Sequence, residues 1–554
     1  MVNNNPSCVQ RKASLTANTR VSKSDLPQAT SQEWRWVLIV GLGLLVVISL
    51  PFLWALWVSM TSNYTFMGLL SNPIDGATYL SKIQLGREGI WQTRFRHSPG
   101  VTEGAYLTLL YNGLGQISRF LPLGNAVTYH IARVMAGILM TFALYQFGVS
   151  VWQKESNRRL FFLMVLLGSG LGWLVSFLGL QTPDLFIPEA FPLYSMATNV
   201  QFPLAIAMLA LMAGVVIRAF RPGTKDDPHA GNGGLTLLLG SLVLSLIAPH
   251  ALVPFVLGFA AMIAVEWITK RRVLLWQFRW LMMVVLPTLP AAGYYVAELR
   301  YNPVVAQWNA QNINLSPALP VYLLGFGLPL IIALPGIYRA VRRYEADGNR
   351  FMLWWLVSIL VAVYLPLSAQ RRFSIGIMLP IAYFAVRGLQ DFWLMRVPQR
   401  RQRAALSAIY GFSALTYLFL LLGWFVAANN TTDPRIYVEN DYTRTFEWLD
   451  RRAAPGSVTL ASEEVGAWLP GKAGVSVVYG HPYETLNAER NRAAVQDWYS
   501  SEDAAPLCQR TLERYRVRYI LVGPQERALS EGALGCLDDL TEVEQFGEVT
   551  IYAP

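Results

Sequence analysis

The sequence predicts an α-helical polytopic membrane protein of about eleven spans, closed by a C-terminal extracytoplasmic α/β domain. Three observations predict it. Apolar stretches near 20 residues recur between residues 35 and 428, the length that crosses about 30 Å of hydrocarbon. Charged residues make up 14% of the 554 and hydrophobic ones 53%, against a charged share of about 25% in soluble domains. From about residue 430 the chain changes to short strand-like and helix-like segments in alternation.

A polar segment, residues 1–34, reads as a disordered cytoplasmic tail. The apolar run behind it is too long for the h-region of a signal peptide and lacks an obvious cleavage site, so it reads as a retained span. Residues 35–429 form the membrane module, with spans near 35–59, 126–152, 159–180, 199–219, 234–249, 251–268, 279–299, 319–341, 351–367, 372–391 and 405–428. The pair around "SLIAPHALVPF" reads either as two full spans or as two half-buried helices meeting at Pro249.

Orientation follows from the basic residues. With Arg11, Lys12, Arg20 and Lys23 in the cytoplasm, alternate connectors carry Lys154, Arg158 and Arg159, then Arg218, Arg221 and Lys225, then Lys270, Arg271 and Arg272. Arg339, Arg342 and Arg343 follow, then Arg396, Arg400, Arg401 and Arg403. This is the positive-inside pattern, and an odd number of spans exports the C-terminus. The net charge of +10 therefore sits in short cytoplasmic clusters, not along a face built for nucleic acid. Two outer segments break the rule: the long first loop, residues 60–125, and "PLSAQRRFSIG", residues 366–376.

Within the first loop, "LTLLYNGLGQISRFL" has helical apolar spacing with Gln116 and Arg119 on a polar face, which predicts a helix lying in the interface. Residues 430–554 read as a soluble α/β domain with a mainly parallel sheet. "TFEWLDRRAA", "ERNRAAVQDWY" and "APLCQRTLERY" are its helices, "SVTLA", "VSVVYG" and "RYILVG" its strands, and "LTEVEQFGEVTIYA" a closing hairpin turning at Gly547. Cys508 and Cys536 leave two readings: a disulfide if that end is exported, or two buried thiols.

Chemistry concentrates on the outer face. Asp75 follows the turn signal Asn72-Pro73 and opens "GATYLSKIQ", so its carboxylate stands near a helix start. It reads as a helix cap or as a general base for an acceptor hydroxyl or amine. Arg371 and Arg372 stand where basic residues are otherwise scarce, and guanidinium forks match phosphate oxygens. Anchoring to anionic head groups is the alternative. His130 and Arg133 share a helix face at the outer start of the second span, and His250 in "APHAL" lies at the outer end of its pair. Lys82, Arg94, Arg96 and His97 make the first loop basic beside Asp75. "GHPYET", from His481 to Thr485, reads as a loop over the membrane site or as a turn capped by its own polar side chains. Walker A, HExxH, GxSxG and CxxC signatures are missing from the sequence.

The long first loop with its early acid, the exported α/β domain, and the segments "DGATYLSKIQLGREG", "YHIARVMAG", "SAQRRFSIGIMLP" and "VYGHPYETLNAERNRAAVQDWY" resemble the GT-C superfamily of integral-membrane glycosyltransferases. The likeness is to bacterial multi-spanning proteins grouped with it. It implies an inverting transfer of a sugar from a polyprenyl-phosphate or polyprenyl-diphosphate carrier to an extracytoplasmic glycan, lipid or protein, in a bacterial cytoplasmic membrane. Asp75 takes the place of the superfamily's first-loop acid. Arg371, Arg372, Arg133 and His250 become candidates for the donor phosphate, and Tyr79, Lys82, His97, Glu103, His130, Asp184, Glu189 and Gln370 for other substrate contacts. Many members carry a second acid beside the first, where this chain has Gly76 and Ala77, which argues against a tightly held metal. Were an ion bound, Mg²⁺ or Mn²⁺ on oxygens of Asp75, Asp184 and Glu189 would be the candidate. Membrane lipids and the lipid-linked donor are the expected partners. A flippase of a lipid-linked anion and a non-catalytic scaffold with an exported binding domain are the rival readings; the first predicts ionisable groups near the bilayer midplane.

Overall fold

The computed structural model describes residues 28–100, 103–121, 123–222, 230–501, 505–530, 534–537 and 540–554. Most of the expected N-terminal tail, Lys225 among the basic connectors, and part of the C-terminal domain lie outside them. All eleven apolar stretches fall on helices, and seven of these are long and apolar enough to cross a membrane: Ser31–Met60, Asn125–Val151, Glu155–Leu178, Gln201–Ala219, Pro249–Lys270, Leu275–Tyr301 and Gln370–Arg396. An eighth is the pair Gln399–Ser413 and Leu415–Asn429, bent by 43°. The remaining stretches are shorter than expected. Gly233–Ile247 and Asn349–Ala362 are short apolar helices, and the stretch at 319–341 divides at Gly325 and Phe326 into Leu319–Leu324 and Gly327–Arg343.

The first loop is built, not loose. Its helix Pro73–Arg87 begins with Pro at the position whose missing N–H costs nothing. A second helix, Leu109–Phe120, spans 12 residues, about 18 Å at 1.5 Å per residue and too short to cross. It buries Tyr111, Asn112 and Gly115 while exposing Ile117 and Phe120. Two glycines let it cross the first helix closely: a Cβ on Gly86 would lie 2.0 Å from the carbonyl of Asn112, and one on Gly115 2.0 Å from that of Ile83.

The C-terminal domain carries strands β3 (Val458–Leu460), β4 (Ser476–Val477), β5 (Val517–Val522), β6 (Thr541–Phe546) and β7 (Val549–Ala553). Their order is β4-β3-β5-β7-β6. Strand β3 runs parallel to β4 and β5, whereas β7 is antiparallel to both β5 and β6. The sheet is thus evenly mixed rather than mainly parallel, because the closing hairpin, turning at Gly547 with φ +56°, seats its second strand beside β5. Cys508 and Cys536 are joined, with Cα atoms 5.5 Å apart.

One helix of this domain, Glu463–Lys472, has no counterpart in the sequence reading, and it packs on the first-loop helix Pro73–Arg87. A two-stranded ribbon, β1 (Tyr64–Phe66) against β2 (Tyr437–Glu439), also ties the loop to the domain. Asn125 donates to the Gly471 carbonyl, and Val477 N–H to the Arg96 carbonyl. Loop and domain therefore form one structure over one end of the bundle.

Candidate active site

Asp75 lies in the first turn of the helix Pro73–Arg87, where the N–H groups of a helix start favour a carboxylate. Asn72, in left-handed backbone at φ 50°, donates its side-chain amide to Asp75 Oδ2. The Asp75 side chain stays 40% exposed, so one edge of it is open. Beside it stands an aromatic wall. Tyr79 stacks on Tyr111 at 4.4 Å between centroids, Tyr129 continues the stack, and both Tyr79 and Tyr129 feel the Asp75 charge.

Arg371 and Arg372 occupy the 3₁₀ turn Gln370–Ser374. The turn is pinned from the neighbouring connector: Arg371 N–H donates to the Asn314 carbonyl at 3.1 Å, and Gln370 accepts from Ser316 N–H and donates to the Leu365 carbonyl. Tyr322 and Ser374 share a hydrogen bond of 2.8 Å behind it. Among the described residues no carboxylate comes within 4 Å of either guanidinium, and Arg371 Nε is buried without a hydrogen-bond partner.

Electrostatic reach links these groups. Glu189, 4% exposed, feels Arg371, Arg372 and Asp75; burial pushes its carboxyl up against the pull of the two arginines. Tyr79 feels both Asp75 and Arg372, and Tyr194 feels Glu189 and Arg371. His250 feels Arg372, and its Nε2 is buried without a partner. Asp75, Tyr79, Glu189, His250, Arg371 and Arg372, which lie up to 297 positions apart along the chain, are thus linked by electrostatic reach at one end of the bundle.

Other expected site residues are engaged elsewhere. Arg133 is 2% exposed, donates to the Met196 carbonyl at 2.7 Å, to Ser49 and to His130 Nδ1, and lies over the Phe52 ring. A guanidinium so satisfied pins the 192–198 segment and has little left for a donor phosphate. His130 donates Nε2–H to the Gly68 carbonyl while Nδ1 accepts from Arg133, so both ring nitrogens are occupied. Gln370 shapes the arginine turn through backbone bonds and does not face substrate with a free amide. Lys82 is buried against Glu484 at 2.9 Å. His97 donates to the Ala467 carbonyl at 3.0 Å, and burial holds it down to about 4. Glu103 is exposed and makes no hydrogen bond or ion pair with the site among the described residues.

Asp184 is engaged by the chain itself. Its Oδ2 accepts from the N–H groups of Gly170 and Gly172 at 3.0 Å and from Thr416 at 2.7 Å, and its Oδ1 from Thr182 at 2.6 Å. The carboxylate is fully buried and its acceptor positions are filled from two segments, so it is a structural clasp and not an ion ligand. No group of three or more His, Cys, Asp or Glu among the described residues is arranged to hold a metal. Asp75, Asp184 and Glu189 do not fit Mg²⁺ or Mn²⁺ as a joint ligand set, and no step below runs through one.

The "GHPYET" segment realises both of its readings. His481 Nδ1 accepts from the N–H groups of Tyr483 and Glu484 at 3.0 Å, which is a self-capped turn. The same turn carries the ring to Asp75, with His481 Nε2 3.8 Å from Asp75 Oδ1. His481 and Glu484 are the groups missing from the sequence-derived site. The motif is visible in the sequence, but its approach to Asp75 across some 400 residues is tertiary.

The bundle, capped at one end by the first loop and the C-terminal domain, is similar in fold to solved structures. No protein-family model matches the chain, and no curated protein sequence matches it. Among solved structures, ArnT from Cupriavidus metallidurans bound to undecaprenyl phosphate aligns over 95% of this chain and 98% of that one, with a TM-score of 0.55 at 12% identity. The apo state of the same protein aligns over 94% and 98%, at 0.54 and 11%. The Archaeoglobus fulgidus oligosaccharyltransferase tethered with an acceptor peptide containing the NVT sequon covers 92% of this chain and 72% of its own, at 0.50 and 12%. At such identities the likeness speaks of fold alone.

Proposed function

We propose that the protein is an inverting membrane glycosyltransferase that moves a sugar from a polyprenyl-phosphate or polyprenyl-diphosphate carrier to an extracytoplasmic acceptor. The observation that carries this reading is that an open carboxylate, Asp75, and two guanidiniums with no carboxylate partner among the described residues, Arg371 and Arg372, lie within common electrostatic reach of Tyr79 and Glu189 at one end of an apolar bundle. The acceptor's nucleophilic atom attacks the anomeric carbon and Asp75 takes its proton. The bond from that carbon to the phosphate oxygen breaks, and the electron pair leaves with the carrier. Charge grows on the departing phosphate as this happens, so a fixed cation aimed there stabilises the transition state more than the ground state. His250 and Glu189 complete the phosphate end: the imidazole hydrogen-bonds the phosphate, and the acid keeps the arginine pair from repelling itself apart.

The fold supports the choice of donor, since the similar ArnT structure is bound to undecaprenyl phosphate. The alternation of basic connectors supports a cytoplasmic N-terminus and an extracytoplasmic C-terminal domain in a bacterial cytoplasmic membrane. The Cys508–Cys536 disulfide supports the same side for that domain.

The test supplies radiolabelled polyprenyl-phosphate sugars with membrane extract as acceptor to the purified wild type, Asp75→Asn and Arg372→Ala. The wild type transfers label, and Asp75→Asn loses about 10²–10⁴-fold in rate. Equal transfer by all three would remove both assigned roles.

A further inference from the structure

The remaining question is what aims the proposed base, so this inference rests on the transfer reaction above. His481 is 1% exposed. Its Nδ1 accepts two backbone N–H bonds, from Tyr483 and Glu484, and a nitrogen that accepts carries no proton. A neutral imidazole held this way has its proton on Nε2. That Nε2 is buried with no hydrogen-bond partner among the described residues, and Asp75 Oδ1 is 3.8 Å away. A buried donor without an acceptor is unfavourable, and the carboxylate oxygen facing it is the group that relieves it.

The histidine is the rigid partner of the two. Thr485 Oγ1 accepts from Gly480 and His481 N–H and donates to the His97 carbonyl at 2.6 Å. Glu484 is locked to Lys82, and Gln311 donates to the carbonyls of Tyr483 and Thr485. Asp75, in a first helical turn and partly exposed, is the one free to move. A shift of about 1 Å brings Oδ1 to ordinary hydrogen-bond distance of Nε2.

We infer that His481, supplied by the C-terminal domain, is a positioning residue for Asp75: its Nε2–H binds Oδ1 while Asn72 binds Oδ2, and the two together aim the open edge of the carboxylate at the acceptor. The base is then assembled from two parts of the chain, and works only with the domain docked on the first loop. The charged and titratable groups around the ring are Asp75, Glu484, Lys82, His97 and Tyr483. Burial lowers the His481 pKa, which keeps the ring neutral with a single donor.

Two measurements test this on the full chain in lipid nanodiscs. The first needs no activity: ¹⁵N spectra of protein labelled at its 5 histidines, with His481 assigned by its loss in His481→Gln. The expected result is the Nε2–H tautomer, with an Nε2 resonance that moves in Asp75→Asn. The opposite tautomer, or indifference to Asp75→Asn, overturns the inference. The second uses transfer from polyprenyl-phosphate sugars. His481→Phe should lower kcat about 10²-fold with the donor KM unchanged, and His481→Gln, whose amide N–H can replace the donor, should recover most of it. Equal losses in both variants, with a lowered unfolding temperature, would make His481 merely structural. If the wild type transfers nothing, the proposed reaction falls, and the spectra still decide the His481–Asp75 contact.

Discussion

At the end of the bundle away from the C-terminal domain, arginines meet carboxylates. Arg158 pairs with Glu33 at 2.9 Å, Arg387 with Asp347 at 2.6 Å, and Arg339 with Asp391 and Glu345. At the domain end, Arg371 and Arg372 have no such partner among the described residues, although Glu189 and Asp75 lie within electrostatic reach. The same residue type thus does two jobs in one chain. Paired guanidiniums close the fold, because a charge removed from water needs a counter-charge. Arg371 and Arg372, held in a pinned turn, meet no carboxylate within 4 Å among the described residues, and on the proposed reading the donor phosphate is the anion they await.

The sharpest way to break this contrast is to delete one arginine at each end. Arg158→Ala leaves Glu33 buried without its counter-charge, though still bonded by Tyr145 and Thr30, and should cost about 3 kcal/mol of stability, read as denaturant unfolding in detergent. Arg372→Ala should leave unfolding within about 0.5 kcal/mol of wild type while lowering transfer about 10²–10³-fold. A destabilised Arg372→Ala with normal turnover would erase the distinction.

Acid sharpens it further. His97 takes its proton at about 4 in the folded chain against 6.5 as its ordinary value. Between those pH values the unfolded chain binds the proton and the folded chain does not. The stability that neutral His97 contributes is therefore present above about 6.5 and lost as pH falls through that window. His97→Gln, which can still donate to the Ala467 carbonyl, should lessen the pH dependence of the unfolding midpoint there. The smallest effect belongs to Glu103→Gln. This exposed acid touches nothing at the site, and both stability and transfer should stay at wild-type levels, within about 0.5 kcal/mol.

These contrasts mark how far the sequence could be read. Arg371 and Arg372 were legible because charge on an otherwise uncharged connector violates a one-dimensional rule. Asp75 was legible because Asn72-Pro73 marks a helix start. Arg133, His130, Gln370 and Asp184 are the same kinds of residue on the same side, but their hydrogen bonds are filled by backbone and hydroxyl groups from other segments. No spacing along the chain reports that. The helix Glu463–Lys472 was hidden by two glycines and Pro470, which weaken its local propensity; burial of Trp468 and Leu469 against the first loop outweighs them. The evenly mixed sheet had a similar cause, since a hairpin can be read locally but the strand it joins cannot.

The central claim is that Arg371 and Arg372 hold the phosphate of a polyprenyl carrier. Its most direct test is the binding of undecaprenyl phosphate to the full chain in nanodiscs, comparing wild type, Arg371→Ala with Arg372→Ala in one chain, and Arg339→Ala. The expected result is at least a tenfold loss of affinity in the double variant, about 1.4 kcal/mol or more, with Arg339→Ala at wild-type affinity. Undiminished binding by the double variant would contradict it.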